Sequence, residues 1–316
     1  MALEANRGLV SVIVPTHNRS TMLERALMSI VRQDHENLEI IVIADNCTDD
    51  TKKVVEAIAD PRIIYVPLVK NAGGAQARNF GLDLANGEFI AFLDDDDEWY
   101  DGKLTRQIQL LQSHPDAALV SCNFDRFDGE RDIPSNLPEV ITVDDLFYLN
   151  ICGSFSFCMT KREYVRDLRI NPVLKSHQDW DLWLKILLAT GLQCRVVPGR
   201  LVRYYDNHPD KLSNKHYQTF LSKVVFLRSY WARMTPEHRN YQLYELLKWK
   251  RLYFYDRSSH VFQLRLYLKA LWFYHKSRHD QNIHNYLLLL PKLFPVKRGL
   301  RPTTTHCAAT LKERTT

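Results

Sequence analysis

Short apolar runs separated by polar, loop-forming stretches dominate the first two hundred positions. Leu9 to Pro15 is rich in β-branched residues and stopped by a proline, which predicts a strand. After the polar stretch Thr16 to Ser20, Met22, Leu23, Ala26, Leu27 and Ile30 recur at helical spacing, with Ser20 or Thr21 as the expected cap. The rhythm repeats with a strand over Leu38 to Ala44, a polar loop from Asp45 to Thr51, and a second helix. A third strand, Arg62 to Val66, leads through Asn71 to Gly74 into a third helix. Strand, polar loop, helix in succession predicts a parallel sheet.

Glu88 to Leu93 reads as a buried strand, followed by a helix over Gly102 to His114 and a strand over Ala117 to Asn123. Gly153 to Met159 alternates like a strand packed on one face. Leu182, Ile186 and Ala189 form an apolar stripe that predicts an amphipathic helix starting near Ser176 or His177. Val196 to Tyr205 is a further strand, and from His216 onward the pattern turns helical, including a segment over Leu264 to Tyr274. The polar end after Arg301 predicts a flexible tail over 301–316.

A chain of 316 residues with 45% hydrophobic content can bury a sizeable core. Its six cysteines, Cys47, Cys122, Cys152, Cys158, Cys194 and Cys307, show neither a CxxC pair nor zinc spacing, the pattern of reduced thiols. The N-terminus lacks a signal-peptide build, and no apolar run approaches the roughly 20 residues of a membrane span, so a cytoplasmic location is expected. Charge is uneven. From His216 onward 18 Lys and Arg stand against 5 Asp and Glu, a net +13, which leaves −8 on residues 1–215 out of the overall +5. Of the 35 aromatic residues, 18 share that last third. Such helices suit an anionic membrane surface, peripheral on its inner face, or pack on the body and expose a basic side. Nucleic acid is disfavoured, because no reader motif accompanies the charge.

Candidate chemistry centres on Asp94-Asp95-Asp96-Asp97, directly after the apolar run to Leu93. Four carboxylates together resist a dry core and call for water or a cation. They fall at the carboxyl end of a predicted strand, the edge where open α/β sheets bind ligands. Hard oxygens there suit Mg²⁺ or Mn²⁺ shared with substrate phosphates, although a solvated acidic loop fits the same run. Gly73-Gly74 would let backbone approach a ligand, with Arg78 placed to face an anion. Asp179 falls in the first turn of its helix, where the dipole favours the ionised form. No GxGxxG or P-loop pattern occurs.

Taken in order, five motifs resemble a family 2 glycosyltransferase of the GT-A fold. They are Val12 to Arg19, Ala44 to Thr51, Asn71 to Gly81, the Asp94–Asp97 run, and Gln178 to Trp183, and the likeness spans roughly residues 9–215. The resemblance implies an α/β architecture, a Rossmann-like, mostly parallel sheet followed by a helical C-terminal region. It divides the chain into a nucleotide-sugar half (1–115), an acceptor half (116–215), a basic and aromatic helical region (216–300) and the tail. It further implies an inverting enzyme that uses Mn²⁺ or Mg²⁺ to move sugar from a nucleotide-sugar donor, expected to be a UDP-sugar, to a glycan or lipid-linked acceptor. Bacterial surface polysaccharide is the expected product.

By the same resemblance Asp96 is the direct metal ligand, joined by His208, while Asp94 and Asp95 contact ribose or the metal's water shell. Pro15, Thr16, Asn18 and Arg19 cradle the nucleoside, Asp45 bonds the base, Gly74 and Arg78 support the donor, and Asp179 is the general base. Two departures stand out. Gln178 replaces the usual Glu before the base, and Ala44 replaces the first carboxylate of a paired-aspartate motif. A nucleotidyltransferase or a non-catalytic nucleotide-sugar-binding subunit would share part of this pattern. The phase of the aspartate run is open, since a one-residue shift would bring Asp97 into the place of a neighbour.

Overall fold

A computed structural model describes residues 6–206 and 216–254. His208, the segment Leu264 to Tyr274, Cys307 and the tail expected over 301–316 lie outside the described residues.

The repeating apolar runs form a twisted sheet in the order β3 (Ile63–Leu68), β2 (Leu38–Asp45), β1 (Val10–Thr16), β4 (Phe89–Phe92), β9 (Met159–Lys161), β6 (Ala117–Phe127), β10 (Gln193–Tyr205), β5 (Glu98–Trp99). Strands β1 (Val10–Thr16), β2 (Leu38–Asp45), β3 (Ile63–Leu68) and β4 (Phe89–Phe92) pair parallel, as the strand-helix rhythm requires. β6 (Ala117–Phe127) and β10 (Gln193–Tyr205) add a second long parallel pair, with register shifts around Val197 and Arg200. The mostly parallel reading therefore holds for the long strands. Antiparallel pairing is confined to short ones: β5 (Glu98–Trp99), β7 (Asp132–Pro134), β8 (Val140–Ile141) and β9 (Met159–Lys161).

β1 is buried along its whole length, because helices cover both faces of a sheet centre that is apolar at consecutive positions. Helix α1 (Ser20–Val31) turns Leu23, Ala26, Leu27 and Ile30 inward and packs against α2 (Thr51–Ile58). Helix α3 (Gly74–Leu84) lies on β1 and β2, so close that a Cβ at Gly81 would sit 2.3 Å from Ile13 Cγ2. Beyond it follow α4 (Lys103–Ser113), α5 (Val143–Tyr148), α6 (Arg162–Val165) and α7 (Gln178–Thr190), then α8 (His216–Tyr230) and α9 (Pro236–Phe254), which pack on each other. The five described cysteines are free thiols, four of them buried.

Three local expectations change. The cap on α1 is neither Ser20 nor Thr21: Arg19 precedes the helix without a capping bond, and Asp49 Oδ2 accepts the Ser20 N–H at 3.0 Å from a neighbouring loop. Gly153 to Met159 is not an alternating strand. Phe155 to Phe157 form a 3₁₀ turn in which all three residues are buried, with Ser154 Oγ accepting the Ser156 N–H, and only Met159–Lys161 enters the sheet. Alternation fails because Ser156, polar, is drawn inward by hydrogen bonds to the aspartate loop. On α7, Leu182 and Ile186 are buried as expected but Ala189 is exposed; Trp180, Trp183, Leu184 and Leu187 complete a wider buried face.

Candidate active site

The carboxyl ends of β1, β2 and β4 open into a cleft of about 990 Å³. Its walls hold Pro15, Thr16, Asn18, Arg19, Asp45, Gly74, Arg78, Asp94, Asp95, Asp96 and Asp179, so residues far apart in the chain meet in one cavity. His208 lies outside the described residues. Each of these side chains is aimed by local chemistry.

Asp45, 3% exposed at the end of β2, accepts the backbone N–H groups of Ala72 at 2.6 Å and Gly73 at 2.8 Å. It thereby pins the glycine loop to the end of β2 at the cleft wall. Gly73 stands at φ +82, which a side chain would resist, and hands the chain directly to α3. Asn18 and Asn46 both adopt left-handed backbone, tolerated by asparagine, and Asn18 Oδ1 accepts the Thr48 N–H at 2.7 Å.

The four aspartates separate by environment. Asp94 forms an ion pair with Arg78 and accepts Ser154 Oγ at 3.1 Å. Arg78 is itself 9% exposed and stacks 4.2 Å over the Phe155 ring. Asp95 accepts Thr16 Oγ1 at 2.8 Å and Arg19 Nη1 at 3.0 Å. Burial pushes its carboxyl up to about 6, opposed by the Arg19 charge. Asp96 receives the same Arg19 nitrogen at 3.3 Å and faces the cleft. Asp97 points the other way, fully buried, accepting Ser156 Oγ at 2.6 Å and the Tyr205 N–H at 3.3 Å. Desolvation, reinforced by Asp96 and Asp94, holds its carboxyl well above the usual range.

That division fixes the phase of the run: Asp94, Asp95 and Asp96 line the cleft and Asp97 does not. It also answers the expectation that four carboxylates resist a dry core, because the two buried ones are hydrogen-bonded and shifted toward the neutral form.

Across the cleft, Asp179 sits in the first turn of α7, its Oδ1 accepting the Trp180 N–H at 2.8 Å. Burial raises its carboxyl to about 6, against that hydrogen bond and with help from the negative Asp94. The departure at Gln178 is structural: its Nε2 donates to the Leu174 carbonyl at 2.6 Å.

The donor set fits a divalent cation. Asp96 presents hard oxygen to the cleft and already holds a positive group, the Arg19 guanidinium, on its Oδ2. Among the described residues no three or more His, Cys, Asp or Glu side chains are grouped so as to hold a metal ion by themselves. One or two carboxylates completed by substrate phosphate is the arrangement Mg²⁺ and Mn²⁺ favour.

Sequence reasoning missed the Ser154–Phe157 turn, which clamps the aspartate loop, and Lys175, Ser176, His177 and Tyr204 on the cleft wall. The Gly153-Ser154 pair was the available signal, a turn marker inside an apparent strand.

The family model described as glycosyl transferase family 2 matches residues 11–169. TuaG of Bacillus subtilis, named for teichuronic acid biosynthesis, is 33% identical over 72% of this chain and 93% of its own. WfaP of Escherichia coli, a UDP-Glc:α-D-GlcNAc-diphosphoundecaprenol β-1,3-glucosyltransferase, is 30% identical over 70% and 86%. Among solved structures, Staphylococcus aureus TarS with UDP-GlcNAc superposes with a TM-score of 0.60 at 21% identity, covering 85% of this chain and 81% of that one. The Pyrobaculum calidifontis mannosyltransferase PcManGT, with GDP-Man and Mn²⁺, gives 0.51 at 17% identity, covering 90% and 79%.

Proposed function

The chain belongs to glycosyl transferase family 2, and on that premise we propose that it moves a sugar, with inversion, from a UDP-sugar to a hydroxyl of a lipid-linked glycan. The observation that carries the reading is the single cleft in which Asp179 faces the Asp94–Asp96 loop and the Asp45 loop. Relatives named for teichuronic acid biosynthesis and for transfer to a diphosphoundecaprenol-linked sugar support a place in bacterial surface polysaccharide assembly.

In the proposed reaction the acceptor oxygen attacks the anomeric carbon, the bond to the nucleoside diphosphate breaks, and Asp179 takes the hydroxyl proton. A carboxylate with a pKa of about 6 is ionised at neutral pH and basic enough to accept a proton as charge leaves the hydroxyl. Asp45 and the loop it pins hold the nucleoside; Pro15, Thr16, Asn18 and Gly74 supply the backbone and short side chains around it. Arg78, fixed by Asp94 and Phe155, brings positive charge to the donor side. Asp96 would hold Mn²⁺ or Mg²⁺, with Asp94 and Asp95 near its water shell and His208 as a further ligand. The ion would offset negative charge on the departing diphosphate.

The C-terminal helices divide their faces. Ser222, Lys223, Phe226, Leu227 and Tyr230 are buried against the body, whereas Leu221, Arg228, Trp231 and Arg233 are exposed. Among the described residues no helix is long and apolar enough to cross a membrane. The outer face would meet an anionic bilayer carrying the acceptor, a contact that liposome sedimentation at rising salt would detect.

The decisive experiment combines UDP-sugar, Mn²⁺ and a diphospholipid-linked sugar and follows UDP release. Asp179→Asn should lower turnover by at least about 10²-fold, with donor affinity nearly unchanged. Wild-type turnover in that variant would remove Asp179 from the catalytic role.

A further inference from the structure

The cleft wall beside Asp179 is made by Lys175, Ser176 and His177. This stretch is anchored from the C-terminal helices: Ser222, 2% exposed on α8, accepts the backbone N–H of Lys175 at 2.9 Å and of Ser176 at 3.2 Å. His177 then adopts φ +65 and ψ 20, a left-handed conformation that a residue with a Cβ holds only at a cost. Asparagine is enriched in that region as histidine is, so the backbone alone does not select the imidazole; what it adds is the ring and its second nitrogen.

Its ring is held from two sides. It packs 5.7 Å from Trp180 and 6.2 Å from Phe226, and Nδ1 is 2.8 Å from Ser176 Oγ. Nε2 makes no hydrogen bond among the described residues, on a side chain that lines the cleft. Burial, with the Lys223 charge beside it, drives its pKa down to about 3, so the ring stays neutral throughout the working pH range. A neutral imidazole with Nδ1 engaged keeps one hydrogen-bonding atom, and the partner at Nδ1 decides whether that atom donates or accepts. A sugar hydroxyl satisfies either role.

We infer that His177 binds the acceptor sugar, its Nε2 hydrogen-bonding a ring hydroxyl beside the one that Asp179 deprotonates. The inference rests on the reading that Asp179 marks the acceptor end of the cleft. It assigns α8 a part in recognition as well as packing, because Ser222 sets the backbone that aims the ring. A purely structural His177, present only to fill space over Trp180, would be replaceable by any ring.

Two substitutions separate these roles. His177→Phe keeps the packing and removes both ring nitrogens, the Nδ1 contact with Ser176 Oγ included; His177→Gln restores an N–H at similar reach. The full chain, loaded with UDP and Mn²⁺, is titrated with a soluble α-D-GlcNAc diphosphate ester of a short alkyl alcohol. His177→Phe should weaken that probe about tenfold, the scale of one hydrogen bond lost with its partner left unpaired. UDP affinity should change less than about twofold, with a melting midpoint lowered by no more than the few degrees that loss of the Ser176 contact costs, and His177→Gln should recover most of the loss in probe affinity. Equal probe affinity in all three proteins, or a parallel fall in UDP affinity, overturns the assignment. Asp179→Asn turning over normally while His177→Phe still weakens the probe would sink the general-base reading and leave His177 in place.

Discussion

Replacing Asp179 with asparagine should make the protein both inactive and more stable. The carboxyl is raised from 3.8 to about 6 by burial in the cleft wall. At 1.36 kcal/mol per unit the ionised group costs the folded state about 2–3 kcal/mol at neutral pH, nearer the lower figure because it lines an open cleft. Asparagine keeps the acceptor for the Trp180 N–H and carries no charge to desolvate. The sign follows from linkage. A carboxyl whose folded pKa lies above its unfolded value contributes stability that is complete below about pH 4 and is lost as the pH rises through 6. The variant escapes that loss, whereas Asp95 and Asp97, shifted in the same direction, are common to both proteins and cancel. Thermal melts of ligand-free protein should therefore show Asp179→Asn higher by roughly 5 °C at pH 7.5, with the gap closing toward pH 4. Equal midpoints at pH 7.5, or a gain that persists unchanged at pH 4, would refute the argument that burial raises this carboxyl.

The same shift sets the acid limb of catalysis: kcat/KM should fall about tenfold per pH unit below roughly pH 6 and level off above it, and a limb centred near 4 would place the base in water rather than in the cleft wall. Gly153→Ala should lower stability by about 2 kcal/mol or more and cost activity, since φ is +83 and the new Cβ would fall 2.2 Å from Phe157 Cδ2, displacing the turn that carries Ser154 and Phe155; an unchanged melting midpoint would mean that the turn yields freely. Chelation with EDTA should stop transfer, and Mn²⁺ or Mg²⁺ should restore it. Asp96→Asn should raise the metal concentration needed for half activity, and a chelator-resistant wild type would count against the metal.

Much of the architecture was legible from local pattern. The strands over Val10–Thr16, Leu38–Asp45 and Phe89–Phe92 fell where apolar runs end in polar loops, because a strand buried on both faces needs an unbroken apolar stretch. The site was legible for a related reason: parallel strands must all deliver their carboxyl ends to one edge, so residues after successive strands converge there. Arg78 and Asp94 could be nominated from the pattern and Asp45 through the family resemblance before any distance was known.

The Gly153–Met159 turn was misread because alternation counts polarity and misses a buried serine whose partner, Asp97, lies 59 residues away. The α1 cap failed likewise, its bond coming from Asp49 rather than from a neighbour in the chain.

The sequence by itself determined the order of strands and helices and the sheet edge that carries the acidic run, both consequences of chain-local periodicity, while the set of residues gathered at that edge was named through the family resemblance. Only the tertiary structure decided which aspartates face the cleft and which is buried, why Asp179 is poised near 6, and that Ser222 and Lys223 of the C-terminal helices reach the wall beside it. Those properties arise from desolvation and from contacts between segments distant in sequence. Neither exists until the chain closes on itself.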